Sequence, residues 1–215
     1  MADMGMTMNV PWTVTDVALT GVMWTVMMVA MMTPSAAPVI LLFAGAQRAR
    51  RAARSPIVTA VFGAGYLLVW TAFSAAAAAG QWALHQAAML SPSMSTSSTW
   101  LGGGILVAAG IYQLTPTKRA CLTHCQSPLG FLMSHWREGT AGALQMGLSH
   151  GLYCVGCCWA LMCVLFVVGV MNLAWVGALT VFVLLEKAGP AGGMVARIAG
   201  AGMAVFGVLR MTRIL

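Results

Sequence analysis

One histidine and three cysteines interrupt an apolar run in the segment Gly147-Leu-Ser-His-Gly-Leu-Tyr-Cys-Val-Gly-Cys-Cys-Trp159. The surrounding stretch stays apolar from about Ala141 to Leu185. An α-helix turns roughly 100° per residue. With His150 at zero, Cys154 falls at about 40°, Cys157 at about −20° and Cys158 at about 80°, with Met146 one turn earlier at about −40°. All share one stripe. Gly147 and Gly151 form a GxxxG pair at its edge, where a neighbouring helix can pack closely. Soft sulfur ligands with one imidazole in a nearly charge-free segment suit Cu(I) or Zn(II) far better than Mg(II) or Ca(II). A lone cysteine reads as small apolar filler, but three with a histidine on one face point to metal or thiol chemistry.

One helix cannot surround an ion, because its side chains approach from one side. The best-matched second donor is Met23-Trp-Thr-Val-Met-Met-Val-Ala-Met-Met32. Met23, Met27 and Met31 repeat every four residues, and Met28 and Met32 make an adjacent row. Thioethers are neutral, so they can hold Cu(I) without burying charge, whereas Zn(II) prefers thiolate and imidazole. The plain alternative is a packing stripe of membrane-compatible methionines. A third group is Cys121 and Cys125, one helical turn apart. Lys118 shares their face and is expected to favour the thiolate, and His124 lies one residue off it. Thr115-Pro116 reads as an N-cap and first helical residue for that segment.

The elements that carry these groups follow from composition. The 215 residues are 60% hydrophobic and 7% charged, with 11 Lys and Arg, 4 Asp and Glu and a mean hydropathy of +0.86. Soluble domains carry about 25% charged residues. The expectation is an all-α, polytopic transmembrane bundle forming a single integral membrane domain over 1–215. About six spans are expected: 17–46, 57–79, 100–114, one from about 141, 173–185 and 192–209. A break is expected at Met171-Asn172, and an amphipathic interfacial helix around Phe131, Leu132 and Trp136. Pro34 and Pro38 are expected to kink the first span. Arg48, Arg50, Arg51 and Arg54 place the first loop in the cytoplasm, and the uncharged 80–99 loop lies outside. This puts His150 to Cys158 near the bilayer midplane and the Cys121–Cys125 pair at the cytoplasmic mouth. The positive charge reads as an orientation signal and lipid contact, not as a nucleic-acid surface. No secretory signal peptide is recognisable, so the first span is expected to remain. Glu186 and Lys187 read as a helix-end pair, and His135 has no evident partner.

Three segments together are similar to the bacterial family of predicted metal-binding integral membrane proteins. They are Trp24 to Ser35, Lys118 to Gly130 and Met146 to Met162, with Cys-Val-Gly-Cys-Cys-Trp as the most specific core. The resemblance implies a metal ligand set in a multi-pass protein of the bacterial inner membrane, and specifies neither metal nor reaction. Copper as Cu(I) is the first expectation and zinc the second. The function expected is binding and transfer or transport of Cu(I), with membrane lipids, other membrane subunits or a metallochaperone as partners. The alternatives are a redox subunit of a membrane oxidase or monooxygenase, and a structural subunit whose cysteines only pack.

Overall fold

The structure is a computed structural model that describes residues 12–50, 55–87, 95–189 and 191–212. The N-terminal methionines, Arg51, Arg54, Arg213 and most of the serine-rich loop lie outside these residues. The described chain is helical throughout, in the order α1 (Val14–Ala49), α2 (Ser55–Gln86), α3 (Thr99–Leu114), α4 (Pro116–Gln126), α5 (Pro128–His135), α6 (Gly139–Cys163), α7 (Leu165–Val168), α8 (Leu173–Ala188) and α9 (Gly192–Met211).

Local chemistry sets these boundaries. Thr13 and Asp16 form a capping box that starts α1: the Thr13 hydroxyl accepts from the Asp16 N–H, and the Asp16 carboxylate accepts from the Thr13 N–H at 2.8 Å. α1 then stays helical through Pro34 and Pro38 for 36 residues. Thr115 caps α4 by accepting from the Lys118 N–H at 3.3 Å, with Pro116 in the first turn. Ser127-Pro128 divides α4 from α5. The long apolar run after α6 breaks at Gly169, whose φ of 94° is open to glycine at little cost. Asn172 then caps α8, its side-chain oxygen accepting from the Ala174 N–H at 3.2 Å. The break expected at Met171-Asn172 is therefore present.

Two close helix pairings dominate the packing, α2 with α6 and α3 with α9, and α1 lies along α2. The GxxxG pair works as its spacing suggests. A Cβ on Gly147 would run into the Phe62 carbonyl, and one on Gly151 would crowd Val69. The partner helix is α2, and its Tyr66 is brought against the cysteine face. Trp24 donates to Gln81 at 2.6 Å, tying α1 to α2 in a buried position.

Among the described residues, four helices are long and apolar enough to cross a membrane: α1, α2, α6 continuing to Val168, and α9. α3 and α8 have 16 residues each, which reach about 24 Å against a hydrocarbon core of about 30 Å. The outer surface carries apolar side chains such as Leu19, Val26, Leu41, Leu68 and Ile198, as a lipid-facing surface requires. α5 forms where an interfacial segment was expected, with one difference. Phe131 and Leu132 turn inward onto Phe43, Phe62 and Met146, which leaves Leu129 and Met133 exposed.

The α1–α2 hairpin predicts a sidedness that can be measured. Ala49→Cys and Ala87→Cys, each in a background with the native cysteines changed to serine, should react with an impermeant maleimide from opposite sides of the membrane. Reaction from one side would remove α2 as a crossing helix.

Candidate metal centre

Sulfur-bearing side chains of three helices pack into one buried core. Cys154, Cys157 and Cys158 from α6, Cys125 from α4 and Met28, Met31 and Met32 from α1 pack in a single cluster with Trp24, Tyr66 and Trp70. Met23 and Met27 are partly buried at its edge. The Cys157 Sγ lies 3.9 Å from the Cys125 Sγ. Two sulfurs on one tetrahedral ion with bonds near 2.3 Å sit roughly 3.8 Å apart, so this separation suits a shared ion. The Cys157 and Cys158 thiols both donate to the Cys154 carbonyl, at 3.1 and 2.9 Å. All six cysteines are free thiols.

The Cys154 sulfur has two further neighbours. The Lys187 Nζ from α8 donates to it at 2.8 Å and to the Ser35 hydroxyl at 3.1 Å. The Tyr66 hydroxyl lies 3.2 Å from the same sulfur and donates to the Met32 carbonyl at 3.0 Å. Lys187 is only 7% exposed, and a buried ammonium needs a compensating group. The sulfur cluster supplies it. Lys187 is thus part of this core, not a helix-end partner of Glu186.

Glu186 turns the other way. Its carboxylate accepts from the Lys118 Nζ at 2.8 and 2.9 Å and from the Gln113 amide at 3.0 Å, all buried. Lys118 also donates to the Gln113 side-chain oxygen. This corrects the sequence expectation for Lys118. It sits in an ion pair joining α3, α4 and α8 and is drawn away from Cys121 and Cys125. Those two cysteines differ in setting. Cys125 is buried in the core, whereas Cys121 is half-buried against Gly156. Burial pushes the Cys121 thiol above its ordinary range, and the Cys157 sulfur adds to the shift. The expected activation of Cys121 is absent because its cation is committed elsewhere.

His150 is buried among rings. Its centroid lies 5.0 Å from that of Phe131, 5.8 Å from Tyr66 and 6.4 Å from Phe62. Its Nδ1 is buried with no hydrogen-bond partner. His124 stacks on Tyr153 at 4.2 Å, outside the sulfur core. Among the described residues, no group of three or more His, Cys, Asp or Glu side chains is placed to hold a metal ion. The structure therefore brings together the cysteines of α4 and α6 with the α1 methionines, and leaves His124 and His150 beside them in aromatic settings.

Sequence reasoning missed Lys187, Tyr66 and Ser35. A signal for Lys187 did exist: an ionisable residue at the end of an apolar run marks a functional position by default.

Buried thiols and thioethers from several helices, with one ammonium among them, make a sulfur-rich core within an apolar helical bundle. A family model described as "PpoB2: Copper chaperone" matches residues 21–210, from α1 into the last turn of α9. The chain belongs to this copper chaperone family. No curated protein and no solved structure matches it.

Two outcomes follow from this geometry. Replacing one partner of the buried pair, by Lys118→Met or Glu186→Gln, should cost about 3–5 kcal/mol by stranding a charge or its donors, while the double replacement recovers most of that. Thermal unfolding in detergent reads both. Alkylation of Cys121, followed at its own peptide by mass spectrometry, should be slow at neutral pH. It should keep accelerating beyond pH ~9.5, about one unit above the ~8.5 pKa of an ordinary thiol, where that thiol levels off. A plateau below that pH would mean an activated thiolate.

Proposed function

We propose that this protein is a membrane-embedded Cu(I) carrier that receives copper in the sulfur core and hands it to an acceptor protein. One observation supports this most: the Cys154 sulfur, enclosed by protein and faced by the Lys187 ammonium at 2.8 Å. Metal-bound thiols are deprotonated. One Cu(I) held by two thiolates carries a single negative charge, which Lys187 balances, so the loaded core is neutral overall. Thioethers from Met28, Met31 and Met32 add soft donors without adding charge. In this reading Cys154 and Cys157 are the principal ligands. Cys125 is within reach of the same ion, and Cys158 and His150 flank it. Met23 and Met27 extend the thioether row outward.

The setting follows the same reading. The domain over 1–215 sits in a bacterial inner membrane with the arginine loop in the cytoplasm. α3 and α8 complete six crossings, their shortness met by local thinning of the bilayer. Cys121 and Cys125 then lie towards the cytoplasmic mouth, where thiols remain reduced.

Elemental analysis of the purified protein tests this. Cys154→Ser should lose most of the copper. Lys187→Met should weaken retention about 10–100-fold, the usual effect of removing a group that supports a metal ligand. Met31→Leu should weaken it while preserving volume. A Zn(II) site would ignore the methionine change. Full copper retention by Cys154→Ser combined with Cys157→Ser would refute the proposal.

A further inference from the structure

Directly outside the sulfur core lies a second group of ligating side chains. His124 precedes Cys125 on α4, and Tyr153 precedes Cys154 on α6. The two rings stack at 4.2 Å with 8° between their planes, so this pair sits one residue along from the sulfurs on both helices. His135, the last residue of α5, closes over them. Its ring centroid is 6.1 Å from that of His124 and 5.8 Å from that of Tyr153. His124, His135 and Tyr153 are all half-buried, within reach of solutes that the core excludes. A groove of about 200 Å³ lined by Thr123, His124, Ser127, Phe131 and Ser134 opens beside them.

The hydrogen bonds give both imidazoles the same tautomer. His124 Nδ1 lies 2.9 Å from the Ala120 carbonyl, which can only accept, so Nδ1 carries the proton. His135 Nδ1 lies 2.8 Å from the Ser134 hydroxyl. That hydroxyl donates to the Gly130 carbonyl at 2.8 Å, so it must accept from His135. In each ring, then, Nδ1–H is anchored and Nε2 keeps its lone pair. Histidines that bind metals are held in this way, with the other nitrogen donating to a carbonyl or comparable acceptor. The Tyr153 hydroxyl lies at a loose 3.5 Å from His135 Nε2. An ion bonded to two imidazole nitrogens at about 2.0–2.1 Å holds the ring centroids roughly 5–6.5 Å apart, which brackets the observed separation.

We propose that His124 and His135 form a second copper site, a half-exposed imidazole pair that accepts Cu(I) and passes it inward to the sulfur core. The inference rests on the reading of that core as the copper store. In the transfer two Cu–N bonds break and Cu–S bonds form. Each thiol that takes the ion releases its proton to water at the mouth, and copper remains Cu(I) throughout. Imidazole is the harder donor and sulfur the softer, so the soft ion moves down an affinity gradient.

The test uses the full-length protein in detergent, titrated with Cu(I) held by bicinchoninate. X-ray absorption reports the neighbours of each bound equivalent. Wild type should take one equivalent on sulfur and a weaker second on nitrogen. His124→Ala with His135→Ala should abolish the second, keep the first and slow its loading. His124→Gln with His135→Gln, which preserves polarity and size, should do the same with an unchanged thermal transition. Ser134→Ala should weaken the nitrogen site alone, by about 10–100-fold. Uptake of only one equivalent by wild type, or unchanged loading in both double variants, would overturn the imidazole site. A first equivalent with nitrogen neighbours that survives Cys154→Ser would instead sink the sulfur core as the store and leave the histidine pair standing.

Discussion

An ammonium enclosed by apolar helices is the constraint to which the core answers. Moving such an ion out of water costs several kcal/mol even after the surroundings relax, so a group of opposite or strongly accepting character must lie within contact. Lys187 meets the Cys154 sulfur and the Ser35 hydroxyl. Its neighbour Glu186, about 100° round the helix, meets Lys118 and Gln113. Adjacent charges on α8 thus face different partners, and the rotation of α8 is fixed by both. The Gln126 amide donates to the Glu186 carbonyl at 2.7 Å and fastens the same turn to the end of α4. The ion pair is therefore more than a local contact. It sets the helix that carries the ammonium and the helix that carries Cys125.

The sulfurs owe their positions to backbone contact. Gly147 and Gly151 let α6 approach α2 at the distance of backbone atoms, which leaves Tyr66 level with Cys154. On the other side, Gly156 admits the Cys121 side chain, so α4 packs against α6. Cys125, one turn further along α4, then reaches Cys157. Cys154, Cys157 and Cys158 share one turn, and helical side chains lean towards the N-terminus. The later two thiols consequently point back at the Cys154 carbonyl. Of the two, Cys157 is the one in contact with α4.

Much of this was legible in the sequence because it is set locally. Thr115-Pro116, Ser127-Pro128 and the break before Asn172 mark chain positions where hydrogen-bonding capacity changes, and helices begin or end there. The sulfur stripe of α6 and the methionine rows of α1 follow from the helical period alone. What escaped were particular side-chain contacts between elements far apart in sequence. Periodicity placed Lys118 on the face of Cys121, yet its long side chain reaches Glu186, 68 residues away. Lys187 read as half of a helix-end pair because its partner is 33 residues back in the chain. The period also placed His150 on the stripe of Cys154, but its ring settles among Phe62, Tyr66 and Phe131, supplied by α2 and α5.

The chemistry of the core bears on how firmly it can hold an ion. A closed site with every ligand prearranged and no competing partner would bind copper tightly and give it up slowly. Here the three α6 thiols already have partners. Cys154 faces an ammonium and a phenol hydroxyl, and Cys157 and Cys158 donate to a carbonyl. A metal that binds must displace these contacts, and when it leaves they re-form. The ammonium matters most in this exchange, since a Cu(I) ion held by two thiolates would carry one negative charge, which Lys187 would offset among apolar side chains. Such a core is suited to passing a soft ion on, which is the task implied by the name of the family to which the chain belongs.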